Sequence, residues 1–299
     1  MTAISRAKKW QRFRPRTRGT LDDPTAYEPD SLYARARQIV DDSLRAVKPR
    51  FGRRDVYQQT AEAAKHLASR EPRESTYLLA LLILQAPNAA RAQREMDEHR
   101  GGYRNREARL FELIDFNDTF VNTVLSLESD ELNTFSERLR TELDHFCDQL
   151  HVAGFSERQF DAIIHGLSRE IAVYLAARQL GYIARMTSRV QDAMGVDMVI
   201  TDPETKKSIN IDVKTHSAYH FRLIELEHQH RLDEGKRYQC EMAGFCAVVN
   251  GHGDQAVHTV LFRIATDQLG EIRDFSFVDT GPVATLIAQA LKSHGHHII

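Results

Sequence analysis

The chain of 299 residues is long enough for two ordinary domains, or for one domain with a large extension. Its 42% hydrophobic and 27% charged residues exclude wholesale disorder, and a net charge of −2 does not by itself point to nucleic acid. The longest apolar run, Tyr77–Ala86, is about half of what a membrane span needs, and no apolar segment backs the basic N-terminus, so neither a membrane span nor a secretory signal is expected.

The distribution of charge is more informative. Arg6, Lys8, Lys9, Arg12, Arg14, Arg16 and Arg18 precede the first acid, Asp22, with Trp10 and Phe13 among them. Residues 1–29 are therefore expected to form a basic flexible arm. Arg12, Arg14, Arg16 and Arg18 are candidate phosphate contacts, and a solvated or partner-binding tail is the equal alternative.

Residues 30–153 read as a helical domain. Leu32, Ala36, Ile39 and Val40 form one stripe, and Val56, Thr60, Ala63, Ala64 and Leu67 another. Pro72 stands where a first-turn proline belongs, ahead of the apolar run. Tyr103–Leu127 continues the helices, and Ser129 is placed to cap the next. Glu112, Asp115 and Asp118 read as solvated helix faces.

The pattern changes for residues 154–299. Ser156 and Gln159 form a capping box, flanked by Phe155 and Phe160 as a hydrophobic staple. The helix they open runs to about Leu180 and is stopped by Gly181. Strands are expected at Tyr182–Met186, Val196–Ile200, Ile209–Lys214, Phe245–Val249, Val257–Ile264 and Ile272–Val278. One helix, Ile224–Tyr238, interrupts them, and another follows over Pro282–Lys292. The expected fold is an α/β sandwich, a central mixed sheet flanked by helices, behind an all-α N-terminal domain.

One strand carries the chemistry. In Ile209–Lys214, side-chain alternation puts Ile209, Ile211 and Val213 on one face and Asn210, Asp212 and Lys214 on the other. A turn at Asp202-Pro203-Glu204 makes a hairpin with the preceding strand, which carries Asp197. Glu170 lies at the edge of the apolar stripe on the helix from Ser156. Carboxylate oxygens suit Mg²⁺, which can activate water and neutralise charge on a phosphodiester. A nearby lysine can orient that water or stabilise the transition state.

Gly195-Val196-Asp197, a spacer of fourteen residues, then Asn210-Ile211-Asp212-Val213-Lys214, all behind a helix bearing Glu170, resemble the PD-(D/E)xK superfamily of restriction-endonuclease-like nucleases. The resemblance covers residues 156–292 and departs at Val196, where the name-giving proline would stand. It implies Asp197, Asp212 and the Val213 carbonyl as metal ligands, Glu170 as a further acid, and Lys214 as the catalytic lysine. It implies Mg²⁺, with Mn²⁺ able to substitute.

The expected activity is that of a Mg²⁺-dependent DNA endonuclease, suited to restriction, phage defence or mobile-element processing. An RNase and a non-catalytic nucleic-acid-binding module on the same fold remain alternatives. DNA is the expected partner, with a protein partner through the helical half and a homodimer also open. Gln191 and Asp192 are secondary candidates that a polar loop explains equally well; His216 and His220 could touch a phosphate or carry protons, but read first as polar loop residues. His228, His230, His294, His296 and His297 have no cysteine at zinc spacing. Cys147, Cys240 and Cys246, odd in number and without a CxxC pair, fit a reducing cytoplasm.

Overall fold

The computed structural model describes residues 31–47, 55–71, 73–98, 106–250 and 256–297. The basic arm, including Arg12, Arg14, Arg16 and Arg18, lies outside the described residues, as does Pro72. Among the described residues no helix is long and apolar enough to cross a membrane.

The first six helices are α1 (Leu32–Ala46), α2 (Val56–Ala68), α3 (Ser75–Glu98), α4 (Arg106–Ser126), α5 (Ser129–Leu132) and α6 (Phe135–Gln149). The predicted stripes are buried: Leu32, Ala36 and Val40 on α1, then Thr60, Ala63, Ala64 and Leu67 on α2. They pack around α3, which is buried nearly all round from Leu78 to Ala92 and runs through Pro87. One cap differs from expectation. Glu128, not Ser129, caps α5, because Glu131 at N3 reaches back to its amide.

The helix α7 (Glu157–Gln179) joins this helical region to the sheet. Ser156 and Gln159 form the predicted capping box, and the Phe155 and Phe160 rings lie 6.5 Å apart. Its end is a Schellman turn: Tyr182 N–H donates to Ala177 O, Gly181 N–H to Arg178 O, and Gly181 takes φ +87°. Phe160, Leu167 and Ile171 enter the core of the helical region, whereas Ala172, Val173, Ala176 and Ala177 pack on the sheet. This alanine-rich second face lets α7 lie close to the strands.

The sheet contains β1 (Ile183–Met186), β2 (Met198–Thr201), β3 (Lys207–Lys214), β4 (Phe245–Asn250) and β5 (Val257–Arg263), in the order β1-β2-β3-β5-β4. Neighbours are antiparallel except β3 and β5, which are parallel. The two-residue β8 (His296–His297) pairs with the start of β3. Between β1 and β2 lies α8 (Arg189–Ala193); α9 (His216–His228) and α10 (Glu234–Ala243) lie between β3 and β4. After β5 come α11 (Thr266–Leu269), β6 (Ile272–Arg273), β7 (Ser276–Phe277) and α12 (Gly281–His294). On one sheet face Ile209 and Ile211 pack with α7 and α12; on the other, Leu261 and Val248 pack with Tyr219, Leu223 and Leu226 of α9. A helical region followed by a mixed five-stranded sheet with helices on both faces is an α/β sandwich.

Three elements correct the sequence reading. The helix expected over Ile224–Tyr238 is two helices, broken at residues 229–233, and the first begins directly after Lys214 with Thr215 as its cap. His216 and His220 are therefore helical, and His220 hydrogen-bonds Glu241 at 2.8 Å. The strand expected over Ile272–Val278 is a tight hairpin, in which Asp274 and Phe275 both take positive φ. Phe275 is buried beside Phe120 and Phe135 of the helical core, ring centroids 5.8 and 6.3 Å away, and this contact holds the turn. Finally, Cys240 and Cys246 form a disulfide across the Gly244 turn, which the lack of CxxC spacing did not suggest. Cys147 is free and buried.

Candidate functional site

The hairpin of β2 and β3 sets the site. Asp202 accepts hydrogen bonds from the Glu204 and Thr205 amides at 2.8 and 3.3 Å, closing the turn that sends the chain back. The resulting register pairs Met198 with Ile211. Asp197 stands one residue before β2, and its N–H donates to Ile211 O at 2.8 Å. Its Oδ2 accepts from the Val213 N–H at 2.6 Å. The contact that Val213 shows is thus made by its amide. Register therefore brings the Asp197 carboxylate against Asp212, which lies within hydrogen-bonding reach of it.

The approach to Asp197 is shaped by α8. Ser188 and Gln191 form a capping box at its start. A second Schellman turn ends it, with Gly195 N–H donating to Asp192 O and Val196 N–H to Gln191 O. Gly195 takes φ +76°, and a β-carbon there would lie 3.0 Å from Asn250 Nδ2 and 3.5 Å from Asp212 Oδ2. Only glycine satisfies both the turn and this close approach.

Asp212 is only 3% exposed, because α9 and α10 cover that face of the sheet. Lys214 Nζ makes a short ion pair with Asp212 Oδ1, an oxygen that receives no aligned hydrogen bond among the described residues. Burial, then repulsion from Asp197, raises the Asp212 carboxyl to about 7 against the pull of Lys214 and Arg222. Burial likewise raises Asp197, against Lys214 and its Val213 and Asp212 hydrogen bonds. For Lys214, burial acts to lower the ammonium, but Asp212, Asp197 and Glu170 outweigh it and hold the group above its ordinary value. Lys214 is a firm cation at neutral pH.

Glu170 comes from α7 and joins this group. Burial, then Asp197, Asp192 and Asp118, push its carboxyl well above the ordinary range, with Lys214 opposing. Glu170 is therefore within electrostatic range of Asp197 and Lys214. Two further carboxylates accompany them. Asp192, on α8, is raised to about 7 by burial and by Asp197 and Asp118. Asp118, on α4, is raised to about 6 by burial and by Asp115 and Asp197. The reading of Asp118 as a solvated helix face is corrected: it is half-buried, lines a cleft against α8 and feels the charge of Asp197. Arg189 joins α8 to α4, stacking over Phe111 at 4.3 Å and pairing with Asp115 at 3.0 Å. The motif Ser188-x-x-Gln191 followed by Gly195 was the available signal for α8. Asp118 had none.

A buried Asp212 beside half-buried, mutually repelling Asp197, Glu170, Asp192 and Asp118 offers the kind of oxygen donors that a hard divalent cation takes. The residues fit such an ion in kind, although among the described residues no three stand grouped around one point. No family model, curated protein or solved structure matches the chain.

Proposed function

We propose that the chain is a metal-dependent DNA endonuclease of the PD-(D/E)xK kind, its sandwich being restriction-endonuclease-like. The observation that carries this reading is the β2–β3 register, which sets Asp197 against Asp212 with Lys214 on the same strand, and Glu170 of α7 within electrostatic range of Asp197 and Lys214. Asp197 and Asp212 would hold a Mg²⁺ ion, with Mn²⁺ able to substitute. Bound there, the ion would supply Lewis-acid charge neutralisation and an activated water.

The protein's own groups do the rest. As water oxygen bonds to phosphorus and the bond to the leaving oxygen breaks, negative charge grows on the phosphoryl oxygens. The Lys214 ammonium would stabilise that charge and orient the water, rather than take its proton. A neighbouring carboxylate would take the water's proton, and the leaving oxygen would take a proton from solvent. Glu170, whose burial favours its protonated form, can donate a hydrogen bond to a phosphate oxygen.

A second reading, nucleic-acid binding without turnover, draws on the ion pair that already occupies an Asp212 oxygen. Incubation with plasmid, single-stranded DNA and RNA, each with Mg²⁺, Mn²⁺ or EDTA, tests both. DNA cleavage that needs metal is expected. Cleavage of RNA alone would make the enzyme an RNase, binding without cleavage would favour the second reading, and full activity in EDTA would remove the metal mechanism.

A further inference from the structure

A cleft of about 530 Å³ opens beside the candidate site, between α2, α3 and α4 and against α8. Its size lies within the roughly 300–1,000 Å³ of small-molecule sites. Leu81 and the short side chains of Ala61, Ala64 and Ala68 give it a flat apolar floor.

Most polar groups on its walls are already matched. Asn88 donates to Tyr57 O and Thr60 Oγ1 at 3.1 and 3.0 Å and accepts from Arg91 at 3.0 Å. Glu112 is held by Arg109, and Asp115 by Arg189. Two acceptors are not matched. Gln85 Oε1 is buried without a hydrogen-bond partner, on a helix that is otherwise apolar in this stretch. Asp118 has no hydrogen-bond or ion-pair partner among the described residues. It lines the cleft and also feels the charge of Asp197.

We infer that this cleft receives an unpaired nucleobase bearing an exocyclic amino group, lifted from the strand whose phosphate lies at Asp197, Asp212 and Lys214. The inference rests on the nuclease reading. The amino group of adenine, cytosine or guanine supplies the donor that Gln85 and Asp118 lack, while the ring packs on the alanine floor. Thymine, with a carbonyl oxygen in place of that amino group, would set acceptor against acceptor and be disfavoured. Lys65, at the cleft's edge, offers a cation to a flanking phosphate.

The test is fluorescence anisotropy of labelled oligo-dA, oligo-dC and oligo-dT of equal length, with the full chain in EDTA so that nothing is cut. Two variants accompany the wild type. Gln85→Leu removes the orphan acceptor, and Ala68→Trp fills the cleft from an exposed position. Wild type should bind oligo-dA and oligo-dC about tenfold more tightly than oligo-dT, the scale of one buried hydrogen bond. Both variants should lose that preference while binding oligo-dT as before and melting normally. A wild type without base preference, or variants that retain it, would overturn the inference; if metal-dependent cleavage persists in that case, the nuclease reading stands. A chain that neither binds nor cuts any nucleic acid removes both.

Discussion

The sheet region and the helical region deliver their carboxylates to the site by different physical means. Asp197 and Asp212 are fixed by main-chain pairing, since the β2–β3 register and the Val213 amide leave them little freedom. Asp118 and Asp192 are fixed by side-chain docking, through one half-exposed arginine stacked on Phe111 and paired with Asp115. Backbone pairing is cooperative and hard to displace by a single substitution. A docked helix of five residues is not. The sheet should therefore act as the rigid part of the site and the α4–α8 joint as its adjustable part.

Substitutions can set these two modes against each other. Asp197→Asn should have the largest effect. It removes a charge from the register-fixed pair but keeps an oxygen for the Val213 amide, so cleavage should fall on the order of a hundredfold or more. Melting should be unchanged or slightly higher; a protein that no longer folds would mean that the carboxylate holds the hairpin rather than serving chemistry.

Arg189→Ala should be intermediate, because it loosens the joint and leaves the register alone. Loss of the stacking and of a half-exposed ion pair should cost about 1 kcal/mol. Cleavage should fall roughly tenfold as Asp192 and Asp118 lose their placement, in line with the sensitivity of catalysis to small misplacements. Unaltered cleavage would show that the joint carries no functional load.

The smallest effect concerns pH. Asp118 and Asp192 are raised on folding, to about 6 and about 7, so the folded chain binds protons more tightly than the unfolded one. Their contribution is fully present below the ordinary value of 3.8 and is lost as pH rises through 6 to 7. Metal-free protein should melt a little higher at pH 5 than at pH 8, and Asp118→Asn should narrow that gap by raising the melting temperature at pH 8. An identical gap in wild type and variant would place Asp118 outside the electrostatic cluster.

The same contrast governs what could be read from sequence. Local rules carried far: the capping box and staple of Ser156, the alternation in Ile209–Lys214 and the turn at Asp202 all act over a few residues, and each is present in the fold. Where placement depends on distant docking, the signal was missing. Nothing around Asp118 distinguishes it from Asp115 or from any polar residue on a helix, because its environment is supplied by α8, some seventy residues further on. The hairpin at Asp274–Phe275 lacks the Asn-Gly or Asp-Gly pair that positive φ usually demands, and tertiary burial of Phe275 overrides local preference. The alanine face of α7 gave no strong periodic signal, yet it is the face that meets the sheet.

The account stands most directly on Lys214. Lys214→Ala removes the ammonium beside Asp212 and Asp197, while Ile209 and Ile211 keep their packing on the opposite face. Asp212, already raised to about 7, can take up a proton in place of its lost partner, so the cost in stability should stay within about 1–3 kcal/mol at neutral pH. Cleavage rate should be measured against melting temperature, with DNA binding as a control. The account predicts a folded variant that binds DNA and cuts it on the order of a hundredfold more slowly or worse. A variant that melts normally and cuts at wild-type speed would contradict it.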